Sequence, residues 1–396
     1  MLACRIAAIP GRARALRCAI APAFGDRMKL KPLAALALAS SLFASAPAAS
    51  AAKAGHVAGE THRVATQPSA VARDAEGRDQ LHVTVWYPAR AGSAAREIAL
   101  GPPDAPLFRV ATLADDAPLA DDAPIRKRPV VLLSHGFGGS ARMMGWFAAP
   151  LAQAGYVVIG VDHPGNNGVD RMTVPGAILW WERAEDLKRA LAAVAADPQF
   201  GPHIDPTRVA ASGFSAGGFT ALALAGARFD RHRLLDFCHA HPDDGVCRPQ
   251  IEFAITEDDM RKALQRPEVA ALEATAGADH SLPALKAVFA MAPALVQAFT
   301  PDSLRGIGVP VRIVSGEADT VAALASNARA AADAIPGARL TALPKVGHYA
   351  FLSTCTDAGR EKLQICANTG PQELAHRTAI AQALKLFERT LGRPAQ

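Results

Sequence analysis

The 396-residue chain has no apolar run of the roughly 20 residues that a membrane-spanning helix needs. It has no tight C-x2-C pair, which argues against a structural zinc site of the usual spacing. G-x-G-x-x-G with an acidic residue at the proper distance is not matched, so a dinucleotide-binding reading fails. Excess charge of one sign is scarce as well. The net charge of +5 comes from residues 1–51, which hold seven Lys/Arg against one acid, Asp26; without them the balance is −1. A near-neutral remainder gives no electrostatic case for nucleic-acid binding.

What is present begins with an export pattern. Met28-Lys29-Leu30-Lys31 is a short basic segment, Leu33–Phe43 is apolar, and Ala49-Ser50-Ala51 supplies a small-x-small cleavage pattern. Residues 1–51 therefore read as a leader, with the signal peptide proper at 28–51 and residues 1–27 an over-long start. No cysteine stands at the cleavage site, which argues against a lipid anchor. The chain 52–396 is expected in the periplasm or outside the cell, with no integral membrane association. Export changes how the cysteines read. Cys4 and Cys18 leave with the leader, and Cys238, Cys247, Cys355 and Cys366 remain, an even number that suggests disulfides. Four cysteines allow three connectivities, and close spacing favours 238–247 and 355–366. The alternative is a zinc site of Cys238, His239, His241 and Cys247, which an oxidising compartment disfavours.

The chemistry centres on Arg208–Gly218, R-V-A-A-S-G-F-S-A-G-G. Val209-Ala210-Ala211 reads as a buried strand, and a helical pattern opens at Ala216. Between them Gly213-Phe214-Ser215-Ala216-Gly217 fits G-x-S-x-G, a serine on a tight strand-to-helix turn. The glycines are needed because Cβ atoms two residues either side of the serine would collide with adjacent strands.

Around this centre the pattern alternates. Strands are expected near Arg63–Thr66, at Gln80–Tyr87, and as continuous apolar runs at Pro129–Ser134 and Tyr156–Val161. Further strands are expected at Ala287–Ala292, Val309–Ser315 and Arg339–Ala342. Helices are expected around Met143–Ala154, Leu179–Ala196 and Ala322–Ala334. A closing helix at 371–391 carries Leu374, Ile380, Leu384, Phe387 and Leu391 as its core stripe. Residues 91–128, with a small Ala/Asp/Pro repeat at 114–118 and 120–124, read as a surface loop. Residues 228–283 are charged and break the rhythm; they read as a cap-like insertion. Such alternation predicts an α/β domain over 52–396, with a mostly parallel central sheet flanked by helices.

A serine hydroxyl needs a base to take its proton and an acid to orient that base. Ser-Gly-Glu-Ala-Asp at 315–319 ends one strand, and Gly347-His348 follows the next, so Ser215, Asp319 and His348 occur in the order nucleophile, acid, base. Glu317 competes with Asp319 for the acid's place. His135-Gly136-Phe137-Gly138-Gly139 ends an earlier strand, and its small residues let backbone N–H groups approach a carbonyl. The amides of Phe137 and Ala216 are the expected oxyanion hole. Met144, Trp146, Trp180 and Trp181, with Phe137, are candidates for an apolar acyl pocket, and His163 and Asn166 for its polar lining. Nothing in this chemistry requires a metal or an organic cofactor.

HGFGG, DHPGN, GFSAGG, SGEAD and GHYAF, in this order, resemble the α/β-hydrolase superfamily, over roughly Gln80 to Leu391 without 228–283. Within it they look most like the bacterial platelet-activating-factor acetylhydrolase and dienelactone-hydrolase-like group. Arg183-Ala184-Glu185-Asp186-Leu187 is similar to that group's R-P-x-D-I segment, with Ala184 in place of proline. The resemblance implies an α/β-hydrolase fold and the same roles for Ser215, Asp319, His348, Phe137 and Ala216. Dienelactone hydrolases carry cysteine at the elbow, so Ser215 points instead to a serine esterase. The expected substrate is a small-molecule ester or lipid, short-acyl esters and short-acyl phospholipids first. Polyesters, aryl esters and lactones are the alternatives within enzymes, and a non-catalytic exported binding protein is the alternative outside them.

Overall fold

In a computed structural model of the chain, the residues described are 56–120 and 127–392. The leader at 1–51, its signal sequence at 28–51 and residues 121–124 of the second repeat lie outside them.

The strands are β1 (Val57–Thr66), β2 (Gln80–Ala89), β3 (Arg96–Leu100), β4 (Phe108–Asp115), β5 (Arg128–Ser134) and β6 (Val157–Asp162). They continue with β7 (Ile204–Phe214), β8 (Leu285–Met291), β9 (Val311–Gly316), β10 (Arg339–Leu343) and the short β11 (Thr354–Cys355). Their order in the sheet is β10-β9-β8-β7-β5-β6-β2-β1-β4-β11, with β3 on β4. From β6 to β10 every pairing is parallel, whereas β2 lies antiparallel on β6. Parallel strands covered on both faces need apolar side chains in both directions. On β5, Val130 and Leu132 pack into one core layer and Val131 and Leu133 into the other. The helix Glu182–Ala196 covers the first layer with Leu187, Ala190, Leu191 and Val194. Gly145–Gln153 and Gln372–Leu391 cover the second.

The chain runs from β5 outward to β6 and then crosses back to place β7 on the other side of β5. Loops leaving β5 and β7 therefore diverge, and a crevice opens at their carboxyl ends. Ser215 sits there with φ 55° and ψ −118°. A non-glycine residue held in that region costs about 1–3 kcal/mol. Backbone hydrogen bonds fix it: its N–H donates to the Met291 carbonyl (2.9 Å), and its carbonyl accepts from the N–H groups of Gly218 (2.8 Å), Phe219 (3.2 Å) and Ala294 (3.2 Å). The elbow glycines have no room for a side chain. A Cβ on Gly217 would lie 1.9 Å from the Ser134 carbonyl of β5, and one on Gly213 would lie 2.2 Å from the Gly217 carbonyl. Only the first of these clashes is with an adjacent strand; the second is across the turn itself.

A buried polar network supports the loop after β5 from below. Arg183 donates from Nη2 to Ser134 Oγ (3.1 Å) and to the His135 carbonyl, and from Nε to Thr220 Oγ1 (3.2 Å) on the elbow helix. His163 bridges Ser134 Oγ (2.9 Å) and Asp186 (2.9 Å), and Arg73 donates to both oxygens of Asp186 (2.9 and 2.7 Å). Burial works to raise the Asp186 carboxyl, but the Arg73 guanidinium and the His163 bond hold it well below the usual carboxylate range. Burial, with Arg183 nearby, pushes His163 down to about 3 and His135 well below its ordinary value. Both rings are neutral, with His163 Nδ1–H donating to Asp186 and Nε2 accepting from Ser134.

Several expectations are corrected. Residues 91–128 are not one surface loop, because β3 and β4 pair antiparallel there and bury Ile98, Phe108, Val110 and Leu113. The strand expected near Arg63–Thr66 extends back to Val57, since all ten residues pair with β2. The buried stripe of the closing helix runs through Ala375, Ala379, Ala383, Leu386, Phe387 and Leu391. Small alanines let that helix lie close to the sheet, and Ile380 and Leu384 flank the contact.

Two outcomes are expected. Gly217→Ala forces the elbow helix away from β5 and lowers unfolding stability by about 3 kcal/mol or more, read from the urea midpoint. Stability also falls as pH drops from about 6.5 toward 4. His135, His163 and His376 (pushed down to about 4 by burial) accept protons in the unfolded chain before the folded one does. Their contribution is complete above the unfolded value and is lost as pH approaches the folded one. Each adds a slope of up to about 1.4 kcal/mol per pH unit. Asp162 and Glu182, raised by burial, act the other way in the carboxylate range. Scanning calorimetry from pH 7.5 to 5 reads the sign; a flat or rising melting temperature contradicts it.

Candidate active site

Three loops converge on Ser215. Its Oγ lies 2.8 Å from His348 Nε2, and His348 Nδ1 lies 2.7 Å from Asp319 Oδ2. Ser215 is 6% exposed, Asp319 5% and His348 4%, so water competes little for these bonds. With Nδ1–H donated to Asp319, Nε2 is left to accept the serine proton. Asp319 Oδ1 accepts from the amides of Val321 (2.9 Å) and Ala322 (2.8 Å), which locks its rotamer. Glu317 does not reach the histidine; its side chain is exposed and its amide donates to the Leu343 carbonyl.

Phe137 and Ala216 line the same cavity as Ser215. Neither of their amides has an acceptor among the described residues, so two N–H donors are free beside the nucleophile. Ala216 opens the elbow helix, where the first amides have no partner within the helix. The loop carrying Phe137 is pinned one residue later, where the Gly138 amide donates to Asn166 Oδ1 (3.0 Å). Asn166 is itself held by the Gly176 carbonyl through Nδ2 (3.2 Å).

The cavity measures about 260 Å³. Ile178, Trp180, Leu234, Phe253, Met260 and Leu295 make its apolar walls. Three helices of residues 228–283, Arg231–Ala240, Glu257–Leu264 and Pro267–Glu273, stand between the elbow helix and β8, and the first two line the cavity. Arg231, also on its lining, is paired in a fork with Glu273 through Nε and Nη2 (2.7 and 2.6 Å), and its Nη1 donates to Met260 Sδ (3.5 Å).

The other pocket candidates are placed elsewhere. Met144 is fully buried in the second core layer. Trp146 stacks on His376 at 3.7 Å and donates to the Phe351 carbonyl. Trp181 is buried against Phe229 and donates to Thr275 Oγ1. His163 is fully buried in the network under the loop after β5. These four therefore do not line the cavity, whereas Phe137 and Trp180 do, their rings 5.5 Å apart. Cys238 is joined to Cys247 and Cys355 to Cys366. The first bond takes both sulfurs out of any zinc set, and no group of three or more potential metal ligands occurs among the described residues.

Tyr349 and Glu252 escaped the sequence reading. The Tyr349 hydroxyl donates to Glu252 Oε1 (2.9 Å), tying the 228–283 segment to the turn that carries His348. Burial and the Glu252 carboxylate push this phenol well above its ordinary value, so it stays a donor. Only the aromatic beside His348 hinted at it.

No protein of curated function matches the sequence. The 2.4 Å structure of a ferulic acid esterase from Streptomyces cinnamoneus is similar, with TM-score 0.57 and 19% identity, covering 88% of this chain and 94% of that one. At that identity the likeness shows the fold. A sequence model described as the alpha/beta hydrolase family matches residues 130–358, from β5 through the elbow and past His348. That span exceeds half of the chain, and the chain belongs to the alpha/beta hydrolase family.

Proposed function

We propose that the protein is an exported serine esterase that cleaves carboxylic esters with a small apolar acyl group. The observation that carries this reading is the chain of short contacts from Ser215 through His348 to Asp319, opening on an apolar cavity beside two free amides. Ser215 Oγ attacks the ester carbonyl while His348 takes its proton, and Asp319 holds the imidazole in the required tautomer. The Phe137 and Ala216 amides receive the oxyanion. His348 gives the proton to the departing alcohol and then activates water to free the acyl group. Two disulfides favour an oxidising compartment, in line with the export pattern at 28–51. The 228–283 segment acts as a cap that walls the acyl cavity. The likeness of the motifs to acetylhydrolases puts short-acyl esters and short-acyl phospholipids first.

A second acyl class is favoured by one observation, the Phe137–Trp180 ring pair on the cavity wall, which suits an aromatic acid. The ferulic acid esterase of similar fold makes methyl ferulate the matching probe.

The test is hydrolysis of p-nitrophenyl acetate, butyrate, octanoate and palmitate, with methyl ferulate alongside. Each methylene buried in the cavity adds about 0.8 kcal/mol, so butyrate is expected to exceed acetate by roughly tenfold in kcat/KM. Palmitate overfills the cavity and is turned over far more slowly. Ser215→Ala is expected to remove activity by about six orders of magnitude. Asp319→Asn costs about 10⁴-fold through the wrong tautomer, while Glu317→Gln stays within about twofold. A folded Ser215→Ala protein with near-normal turnover ends this reading. A folded wild-type protein inert on every ester leaves the binding-protein alternative.

A further inference from the structure

A second cavity, of about 680 Å³, adjoins the first. Ser215 and Ala216 line the acyl cavity, but His348 lines this one. The loop Arg248-Pro249-Gln250 lines both and stands between them. The two chambers differ in chemistry. The second is edged by Thr320, Gln250, Gln364 and Asn368, with Lys345 and Arg248 as its cations and no carboxylate on its lining.

The walls are built against the loops that carry the acid and the base. A Cβ on Gly245 would lie 2.1 Å from the Thr320 carbonyl, just past Asp319. One on Gly347 would lie 2.2 Å from the Asn368 carbonyl, just before His348. Each wall also lies beside a disulfide, Cys238–Cys247 on one side and Cys355–Cys366 on the other.

Of the two cations, Arg248 pairs with Asp243 (3.2 Å). Lys345 has no ion-pair partner among the described residues and is exposed. Its φ of 60° is a conformation that glycine or asparagine adopts more cheaply. The turn therefore holds an unpaired cation, three residues before His348, at a backbone position poorly suited to lysine.

We propose that this cavity is the alcohol subsite and that Lys345 binds a negatively charged group on the leaving alcohol. The inference rests on the ester-hydrolase reading above. In acylation the Oγ–carbonyl carbon bond forms, the bond from that carbon to the alcohol oxygen breaks, and the proton taken from Ser215 ends on the departing oxygen through His348. The alcohol therefore leaves from the histidine side, into the more polar of the two chambers, while the acyl group stays in the more apolar one. The preferred esters join an apolar acid to an anionic alcohol.

The test compares 4-sulfophenyl butyrate with its neutral counterpart 4-(methylsulfonyl)phenyl butyrate, in wild type, Lys345→Gly and Lys345→Arg. The ratio of their kcat/KM values is expected to favour the anionic ester and to fall roughly fivefold in Lys345→Gly, the weight of an exposed ion pair. Arginine restores it, and raising NaCl from about 20 mM to about 0.5 M erodes it. Lys345→Gly is also expected to melt no lower than wild type, since the turn is relieved, so lost folding cannot explain the change. A ratio indifferent to the substitution and to salt overturns the proposal. Calorimetric titration of 4-hydroxybenzenesulfonate into Ser215→Ala, with and without Lys345→Gly, separates the two readings. Binding that weakens with loss of Lys345 while both esters stay uncut by wild type sinks the esterase reading and keeps the anion subsite. Equal binding sinks the subsite.

Discussion

The Ser134 carbonyl touches the backbone of Gly217, and no side chain fits between them. That contact sets how near the end of β5 comes to the start of the elbow helix. The free amide of Ala216 opens that helix and that of Phe137 lies on the loop three residues beyond β5, so the contact bears on their spacing. Arg183 binds the same junction from beneath, with one donor on Ser134, one on the His135 carbonyl and one on Thr220 of the elbow helix. The strained Ser215 backbone persists because its surroundings leave it no alternative. Rigidity here is a product of packing and buried hydrogen bonds, and it is what a preorganised oxyanion site requires.

The acid and the base arrive by a different route. The loops after β9 and β10 are stitched to each other, with the Glu317 amide on the Leu343 carbonyl and the Ala318 amide on the Val346 carbonyl. Gly316 allows this, since a Cβ there would lie 2.0 Å from the Val346 carbonyl. The stitching turns Glu317 outward and Asp319 inward. Asp319 then divides its oxygens, one to its own turn and one to His348.

Where the chemistry is local, the sequence was legible. G-x-S-x-G between a buried strand and a helix and the two short cysteine spacings each express a constraint within a few residues, while Asp319 and His348 were marked by their places just past strand ends and by their order after Ser215. The misses share another character. Met144, Trp146 and Trp181 were selected by residue type, yet large apolar side chains fill a core as readily as a pocket. The cavity walls come largely from 228–283, which has no period to read. Arg73 and Asp186 stand 113 residues apart, so nothing in either neighbourhood announces their pairing. In β4, Phe108 and Val110 alternate, but Leu113 falls out of phase beyond a register shift against β3, so no single period runs through the strand.

The loop between Cys238 and Cys247 has a tip, His241-Pro242-Asp243, that is exposed to solvent. Exposed tips are where peptidases cut. A cut there opens the chain without dividing the molecule, because the cross-link keeps the Cα atoms of the two cysteines 5.2 Å apart. The wall shared by the two chambers stays tethered on both sides of the break. A nicked chain is thus still a single covalent object, a form of durability that owes nothing to the depth of the hydrophobic core.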